Sequence, residues 1–324
     1  MKLLNNLILI LFCITIHSQN YKLIDETVKN YPKFNSIDEL ASRVNNDFNT
    51  DTEKVRAFFT WTTQNISYDL TKYYDVRAPQ LVIRFDSEMI NKSIANQNRE
   101  NLAKEIFEKR KALCFGYSSL FTELCLKSNI EVKTVNGITK NSVNYINTSN
   151  YTKNHSWNVV KIDNQWKLID LTFAAGYEDL ITGEWVIKLN DFYFFTNPEK
   201  FILSHLPAQP KFQLISEPVS IKSFFKRPIF YSKYFVSGLQ LSNHQTGLLT
   251  VSKEDKKISV SFESKKLKGS IYYKFNNEAT LKKLRVQKTD IDNYAAIIKC
   301  KSDASRTLSF YSENEKILDF KIKN

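Results

Sequence analysis

The stretch that decides the fold is HSWNVVKIDNQWKLIDLTF, residues 155–173. It holds two alternating apolar runs separated by Asp163-Asn164, and both of these residues tolerate the positive φ angles of a two-residue hairpin turn. If they form the turn, Ile162 pairs with Gln165 and the register of both strands is fixed. The pattern therefore predicts an antiparallel hairpin over residues 155–173.

The same register brings an imidazole and a carboxylate together. His155 and Asp170 fall on one side of the hairpin as diagonal neighbours, with Cα atoms roughly 7–8 Å apart. These two side chains can bridge that separation, and a carboxylate in this position fixes the tautomer of a histidine base. A purely structural hydrogen-bonded pair is the alternative.

A nucleophile for this base is found in KALCFGYSSLF, residues 111–121. Cys114 stands where an amphipathic helix begins, and the positive end of the helix dipole together with an imidazolium favours a thiolate. The apolar residues at helical spacing are Tyr117, Leu120, Phe121 and Leu124. We therefore predict Cys114 as nucleophile, His155 as base and Asp170 as the group that orients it.

An oxyanion donor is harder to find in the sequence. The backbone amide of Cys114 is the first candidate, and the side chains of Trp61 and Gln64 are weaker ones. The chain contains no HExxH and no CxxC motif, so we predict neither a metal site nor a cofactor.

The remaining N-terminal half reads mainly as helices. Residues 36–68 predict two helices with Ser36 and Asp51 as N-caps, and residues 99–110 predict another. Residues 70–98 are polar with short apolar islands and predict loops with one strand at 81–85.

The C-terminal part has a different texture. Seven short alternating runs separated by polar turns predict a β-sandwich of immunoglobulin-like size, with Cys300 in its core. The runs are LLTVS, KISVSFES, SIYYKF, LRVQK, AAIIKCK, TLSFYS and ILDFKIK.

The N-terminus, MKLLNNLILILFCITIHSQN, has the layout of a secretory signal peptide: Lys2, a short apolar run, then small and polar residues near Ser18. We predict cleavage after residues 1–19 and a secreted, periplasmic or cell-envelope protein; an uncleaved anchor, with membrane contact through this segment alone, is the alternative. The formal net charge of +12 comes from scattered lysines, which indicates a solvated surface and no nucleic-acid partner.

Several of these motifs together resemble a known family. CFGYSSLFTELC and NHSWNVVKIDNQWKLIDLTFAAG are similar to the transglutaminase-like superfamily of papain-fold cysteine enzymes, with Cys114, His155 and Asp170 at its triad positions. Residues 56–69 and 198–215 resemble the kyphoscoliosis peptidase-like branch. The family often has glycine where Leu113 stands here.

The resemblance implies an α+β fold, a papain/transglutaminase-like core of helices packed on an antiparallel sheet over residues 20–225, followed by the sandwich over 226–324. It also implies a cysteine enzyme acting on amide bonds of a protein or peptide substrate by proteolysis or acyl transfer. With export, the cell envelope is one expected location of that substrate. A non-catalytic envelope protein that uses the same fold for binding or scaffolding is the alternative.

Overall fold

The computed structural model describes residues 21–75, 92–242, 245–265, 270–289, 294–300 and 306–323. The predicted signal segment and the predicted strand at 81–85 lie outside these ranges. The chain divides into two compact units. The first runs through Val135 and resumes over His155–Thr196, and the second comprises Asn136–Asn154 and Asn197–Asn324. The predicted domain boundary at residue 225 stays a prediction.

The first unit is mixed α and β. Its helices are α1 (21–29), α2 (Ile37–Asp47), α3 (Asp51–Asn65), α4 (Leu70–Tyr74), α5 (Lys92–Lys109), α6 (Cys114–Leu126) and α7 (Leu171–Ala175). Its strands are β1 (Ser67–Tyr68), β2 (Lys111–Ala112), the first part of β3 (Val132–Thr139), β4 (His155–Ile162), β5 (Gln165–Ile169), β6 (Gly176–Asp179), β7 (Glu184–Ile187) and β8 (Phe194–Thr196). The order β8-β5-β4-β3 forms a sheet, in which β5 is antiparallel to both β4 and β8.

Helix α6 is the centre of this unit. It contacts α2, α3, α5, α7 and β4, and every residue from Gly116 to Cys125 is buried. A helix that is enclosed on all sides needs small or apolar residues around its whole circumference. The sequence predicts only one apolar face, so α6 is more deeply buried than expected. At Gly116 an added Cβ would lie 3.0 Å from the side chains of Ala112 and Ile106, which explains the glycine by close packing.

The predicted hairpin is confirmed in its turn and register. Ile162 pairs with Gln165, and Asp163 and Asn164 have φ angles of 48° and 60°. The prediction of a strand through residue 173 is wrong, because β5 ends at Ile169 and α7 follows.

The N-terminal ends of α2 and α3 are set by side-chain capping hydrogen bonds. Ser36 is confirmed as the cap of α2, since its side chain accepts from the N–H of Glu39. The second cap is Thr50 and not Asp51, because Thr50 and Glu53 form a reciprocal capping box. Residues 70–98, expected as loops, include α4 and the first turns of α5.

A buried arginine fixes α1 to this unit. Arg56 is 2% exposed and donates to both carboxylate oxygens of Asp25, at 2.8 and 2.5 Å, and to Asp191 at 2.6 Å. Its guanidinium also lies 5.2 Å from the ring centroid of Tyr21. A paired, hydrogen-bonded charge of this kind is costly to break, so α1 is held firmly.

The second unit is dominated by strands. Its helices are α8 (Pro198–Phe201) and α9 (Ile221–Lys226). Its strands are the end of β3, β9 (His205–Pro207), β10 (Ile229–Phe230), β11 (Leu239–Leu241), β12 (Leu248–Thr250), β13 (Lys257–Lys265), β14 (Ile271–Phe275), β15 (Lys282–Lys283), β16 (Gln287–Lys288), β17 (Tyr294–Lys299), β18 (Thr307–Ser312) and β19 (Glu315–Lys323).

Two sheets share one apolar core in this unit. One has the order β10-β19-β18-β14-β15 with β12 beside β19, and the other has the order β11-β13-β17-β16. Val260, Phe262 and Ile298 of the second sheet share a core cluster with Phe310 and Phe320 of the first. Cys300 belongs to the same cluster, as the sequence predicts.

Candidate active site

The thiol of Cys114 lies at the very start of the central helix. Cys114 is the first residue of α6, and its N-cap, Leu113, makes no side-chain capping bond. Two residues upstream, Ala112 of β2 pairs in parallel with Tyr68 of β1, which fixes the entry of the chain into α6. The thiol therefore meets the first, uncapped turn of a helix, where backbone N–H groups favour negative charge.

The imidazole is held between the thiol and a carboxylate. His155 Nε2 lies 2.6 Å from Asp170 Oδ2, and both side chains are buried. The Cys114 side chain hydrogen-bonds to His155. Each ring nitrogen makes one in-plane hydrogen bond, and Asp170 occupies Nε2, so Nδ1 is the nitrogen that faces the sulfur. The ring packs against Trp157 and Phe173, with centroids 6.0 and 5.0 Å away.

Charge on the sulfur is favoured in spite of burial. Burial alone would raise the pKa of Cys114, but the hydrogen bond and the positive charge of His155, with the backbone N–H of Ser156, lower that pKa. Burial works against the charged ring of His155 too, yet Asp170 and Cys114 raise the pKa of His155 to about 10. The environment of the pair therefore favours transfer of the thiol proton to the imidazole.

Asp170 also caps a helix, and this second hydrogen bond fixes the orientation of its carboxylate. As the N-cap of α7, it accepts from the N–H of Phe173 through Oδ1, at 3.0 Å, while Oδ2 faces the imidazole. Its own N–H donates to the carbonyl of Tyr193. Because both oxygens are engaged by groups of the fold, the carboxylate cannot rotate without breaking the cap of α7.

The two weaker candidates for the oxyanion donor, Trp61 and Gln64, lie in the second half of α3. Trp61 is buried, with its ring stacked on Phe107 at 5.2 Å and the guanidinium of Arg110 4.6 Å from its centroid. Gln64 is half-buried. Among the described residues no hydrogen bond joins either side chain to the sulfur, and their role as oxyanion donors stays a prediction.

Two polar side chains at the site escape sequence reasoning. Asn158, fully buried on β4, donates to the carbonyl of Ser118 and the hydroxyl of Thr122, so it ties the strand of His155 to the helix of Cys114. An asparagine between Trp157 and Val159, inside a predicted strand, is the signal that could have revealed it. Tyr68 lies beside the thiol only because β1 and β2 pair, which local periodicity cannot indicate.

The region that contains these side chains is similar to a known protein family. Residues 38–171 match the family model of the transglutaminase-like superfamily, a range that contains Cys114, His155 and Asp170. The chain carries a transglutaminase-like domain. The superfamily usually comprises cysteine enzymes, and the α+β fold of the first unit, followed by a strand-rich region, agrees with it.

Relatives of the transglutaminase-like domain support the predicted branch. The chain is 26% identical over 236 residues to the human protein "Kyphoscoliosis peptidase", covering 71% of this chain and 32% of that protein. It is 27% identical over 164 residues to "cytokinesis protein 3" of Schizosaccharomyces pombe, covering 48% and 18%. The chain thus spans about a third of the length of the first of these relatives. A solved structure described as "Crystal structure of a TGase" aligns over 48% of this chain and 38% of its own, at 18% identity and a TM-score of 0.27.

No helix of the described residues is both long and apolar enough to span a membrane.

Proposed function

We propose that this protein is an exported cysteine enzyme that acts on amide bonds of proteins or peptides. The observation that carries the proposal is the buried hydrogen-bonded chain in which Asp170 holds His155 at 2.6 Å and His155 holds the thiol of Cys114. Nucleophile, base and orienting group stand in the order that acyl transfer through a thiol requires.

The reaction follows from the charges of the pair. The Cys114 thiolate adds to the carbonyl carbon, forming a C–S bond and an oxyanion, for which the backbone N–H of Cys114 is the proposed donor. The C–N bond then breaks as the imidazolium of His155 gives its proton to the leaving nitrogen, which departs as an amine or ammonia. Water or a second amine loses a proton to the neutral imidazole and attacks the thioester. The C–S bond then breaks, which releases the acid or the new amide and restores the Cys114 thiolate and the His155 imidazolium.

Export is the second part of the proposal. It rests on the signal-like residues 1–19, and the proposed location of the substrate is the cell envelope. Secretion of the full chain followed by N-terminal sequencing tests it: a mature protein starting near residue 20 supports export, and an intact Met1 on a soluble intracellular product contradicts it.

The nucleophile is tested by thiol labelling of the full chain with iodoacetamide, quantified by mass spectrometry of each cysteine. At about pH 6 an ordinary thiol is almost fully protonated, so rapid labelling of Cys114 reports the ion pair. His155→Ala should slow that labelling about 100-fold. Cys125 and Cys300, both buried, are internal controls that should label slowly in both proteins.

Labelling of Cys114 that is slow, or equally fast without His155, would contradict the enzyme and favour the binding or scaffolding alternative. The substrate can then be sought by incubating the wild type and Cys114→Ala with a cell-envelope extract. Products that are cleaved or cross-linked only by the wild type identify the reaction, and their masses separate hydrolysis from transfer to an amine.

A further inference from the structure

The described part of the first unit has an unusual concentration of exposed apolar side chains. Six of the twelve large apolar or aromatic residues that are exposed among the described residues lie either in α4 or in the hairpin of β6 and β7. They are Tyr73, Tyr74, Tyr177, Leu180, Ile181 and Ile187. Leu180 and Ile181, at the tip of the hairpin, are 87% and 95% exposed. Apolar patches that remain exposed on a folded domain are typical of binding surfaces.

The two elements form one surface through aromatic contacts. The ring of Tyr68 lies 5.3 Å from that of Trp185 and 5.6 Å from that of Tyr73. The hydroxyl of Tyr74 donates to Glu178 at 2.6 Å, which joins α4 to β6. Glu178 is paired with Trp185 across the hairpin, and Ile187, two residues further along β7, falls on the same face.

We call this set the aromatic surface: Tyr68, Tyr73, Tyr74, Trp185 and Ile187.

The aromatic surface is attached to the element that carries the nucleophile. Tyr68 pairs with Ala112, and the N–H of the next residue, Asp69, donates to the carbonyl of Ala112 at 3.0 Å. Only Leu113 separates Ala112 from Cys114. Burial raises the pKa of Tyr68, and the charges of Cys114 and Asp170 raise it further, so the phenol is a neutral group within electrostatic range of both.

The other end of the surface is attached to the carboxylate. Helix α7, capped by Asp170, leads directly into β6 at Gly176. At Gly176 a Cβ would come within 2.0 Å of the carbonyl oxygen of Val186, so glycine permits the close start of the hairpin. On the return side, the N–H of Lys188 donates to the carbonyl of Ala175 at 3.0 Å. The hairpin is therefore fixed at both of its ends next to the group that orients His155.

We propose that the aromatic surface is the subsite for the acyl-donor polypeptide, and that it receives a large apolar or aromatic side chain next to the reacting amide. The inference rests on the proposed function. A polypeptide is the occupant because the surface is continuous with the elements of Cys114 and Asp170 and extends outward along the exposed hairpin, as an extended chain would require. Within the surface, Tyr68 lies next to the element of the nucleophile, and the tip of the hairpin, with Leu180 and Ile181, lies beyond the surface.

The test uses two alkylating peptides on the full chain. Both are chloroacetyl dipeptide amides, one with Phe and one with Ser next to the chloroacetyl group; the thiolate of Cys114 displaces chloride and forms a C–S bond. The readout is the ratio of the two second-order rates, because the ratio cancels the intrinsic reactivity of the thiol. Filling an apolar site with the aromatic ring should make the Phe probe about tenfold faster.

The variants locate the preference. Tyr73→Ala and Ile187→Ser change half-exposed side chains and should bring the ratio close to one, whereas Ile297→Ser, at a similarly exposed apolar residue of the second unit, should leave it near its wild-type value. A wild-type ratio near one would overturn the subsite, as would a preference that survives both variants.

Two further outcomes separate the possible failures. If iodoacetamide labels Cys114 in a His155-dependent manner while the two peptides react equally, the result supports the proposed enzyme and contradicts the proposed subsite. If labelling of Cys114 does not depend on His155, both the proposed function and the proposed subsite are overturned. A dimer detected by light scattering and dissociated by Ile187→Ser would assign the aromatic surface to a second copy of the chain and overturn the inference.

Discussion

Each unit of the molecule buries one conspicuous aspartate, and the two differ in what they touch. Asp170 of the first unit is 0% exposed and Asp319 of the second is 5% exposed. Asp170 faces an imidazole that in turn holds a thiol. Asp319 accepts from the hydroxyls of Ser309 and Tyr231, at 2.5 and 2.7 Å, and from the amine of Lys316 at 3.0 Å.

The comparison teaches that the partner, and not burial, marks a carboxylate as functional. Imidazole and thiol exchange protons near neutral pH, whereas aliphatic hydroxyls, phenols and amines do not. For Tyr231 the contrast is stronger still, because burial and then the charge of Asp319 raise the pKa of its phenol further. Asp319 therefore satisfies donors of the sandwich, and Asp170 is placed to support proton transfer.

The largest effect is expected from Asp170→Asn. The amide cannot stabilise the imidazolium of His155, so the pKa of Cys114 should rise back toward its ordinary value and iodoacetamide labelling at about pH 6 should fall at least about 100-fold. The matched control is Asp319→Asn, which should leave the labelling rate of Cys114 unchanged. Equal loss in both variants would erase the difference between the two carboxylates.

The second effect concerns stability. Asp319→Ala leaves the buried hydroxyls of Ser309 and Tyr231 without their acceptor, which should destabilise the second unit by about 2–3 kcal/mol. Hydrogen exchange of the amides in β18 and β19, measured on the full chain, should become faster, while Cys114 labelling stays fast. Protection of those strands equal to the wild type would show that Asp319 is dispensable.

The third effect is a pH dependence that also separates the units. Because the pKa of Cys114 is lowered, its labelling should persist below the pH at which ordinary thiols become unreactive, and then fall about tenfold per pH unit. Loss of the imidazolium proton near the pKa of His155, about 10, sets the upper limit for proton donation to the leaving group. Cys300, in the sandwich core, should label slowly across this range; a Cys114 profile that follows an ordinary thiol would contradict the ion pair.

The smallest effect is expected at a helix cap in the first unit. Thr50→Ala removes the acceptor for the N–H of Glu53 and one half of the capping box, which should lower the free energy of unfolding by about 1 kcal/mol. Urea unfolding measures this change. Because the cap touches no member of the triad, Cys114 labelling should not change, which separates stability from reactivity within one unit.

Local sequence alone does not distinguish the two aspartates. Asp170 stands between Ile169 and Leu171, and Asp319 between Leu318 and Phe320, so each is a single acid in an apolar strand-like run. Sequence reasoning favoured Asp170 because the turn at Asp163-Asn164 fixed a register that could be counted back to a histidine. A comparable turn at Glu313-Asn314, with φ angles of 49° and 65°, links Asp319 to its cross-strand partner Ser309. That hairpin contains no histidine, and the other hydroxyl partner, Tyr231, lies 88 residues away in the chain.

The sequence by itself determined the features that depend on near neighbours: the hairpin turn and register, the apolar helix that begins at Cys114, and the strand-rich C-terminal region. These follow from turn chemistry and periodicity over a few residues.

Only the tertiary structure decided what depends on distant pairing. It made Asp170 the cap of α7 instead of a strand residue, placed Tyr68 beside Cys114 through the pairing of β1 with β2, and enclosed α6 on all sides. The physical reason is that such contacts join segments tens of residues apart, whose meeting is set by packing of the whole unit and leaves no periodic signal in either segment.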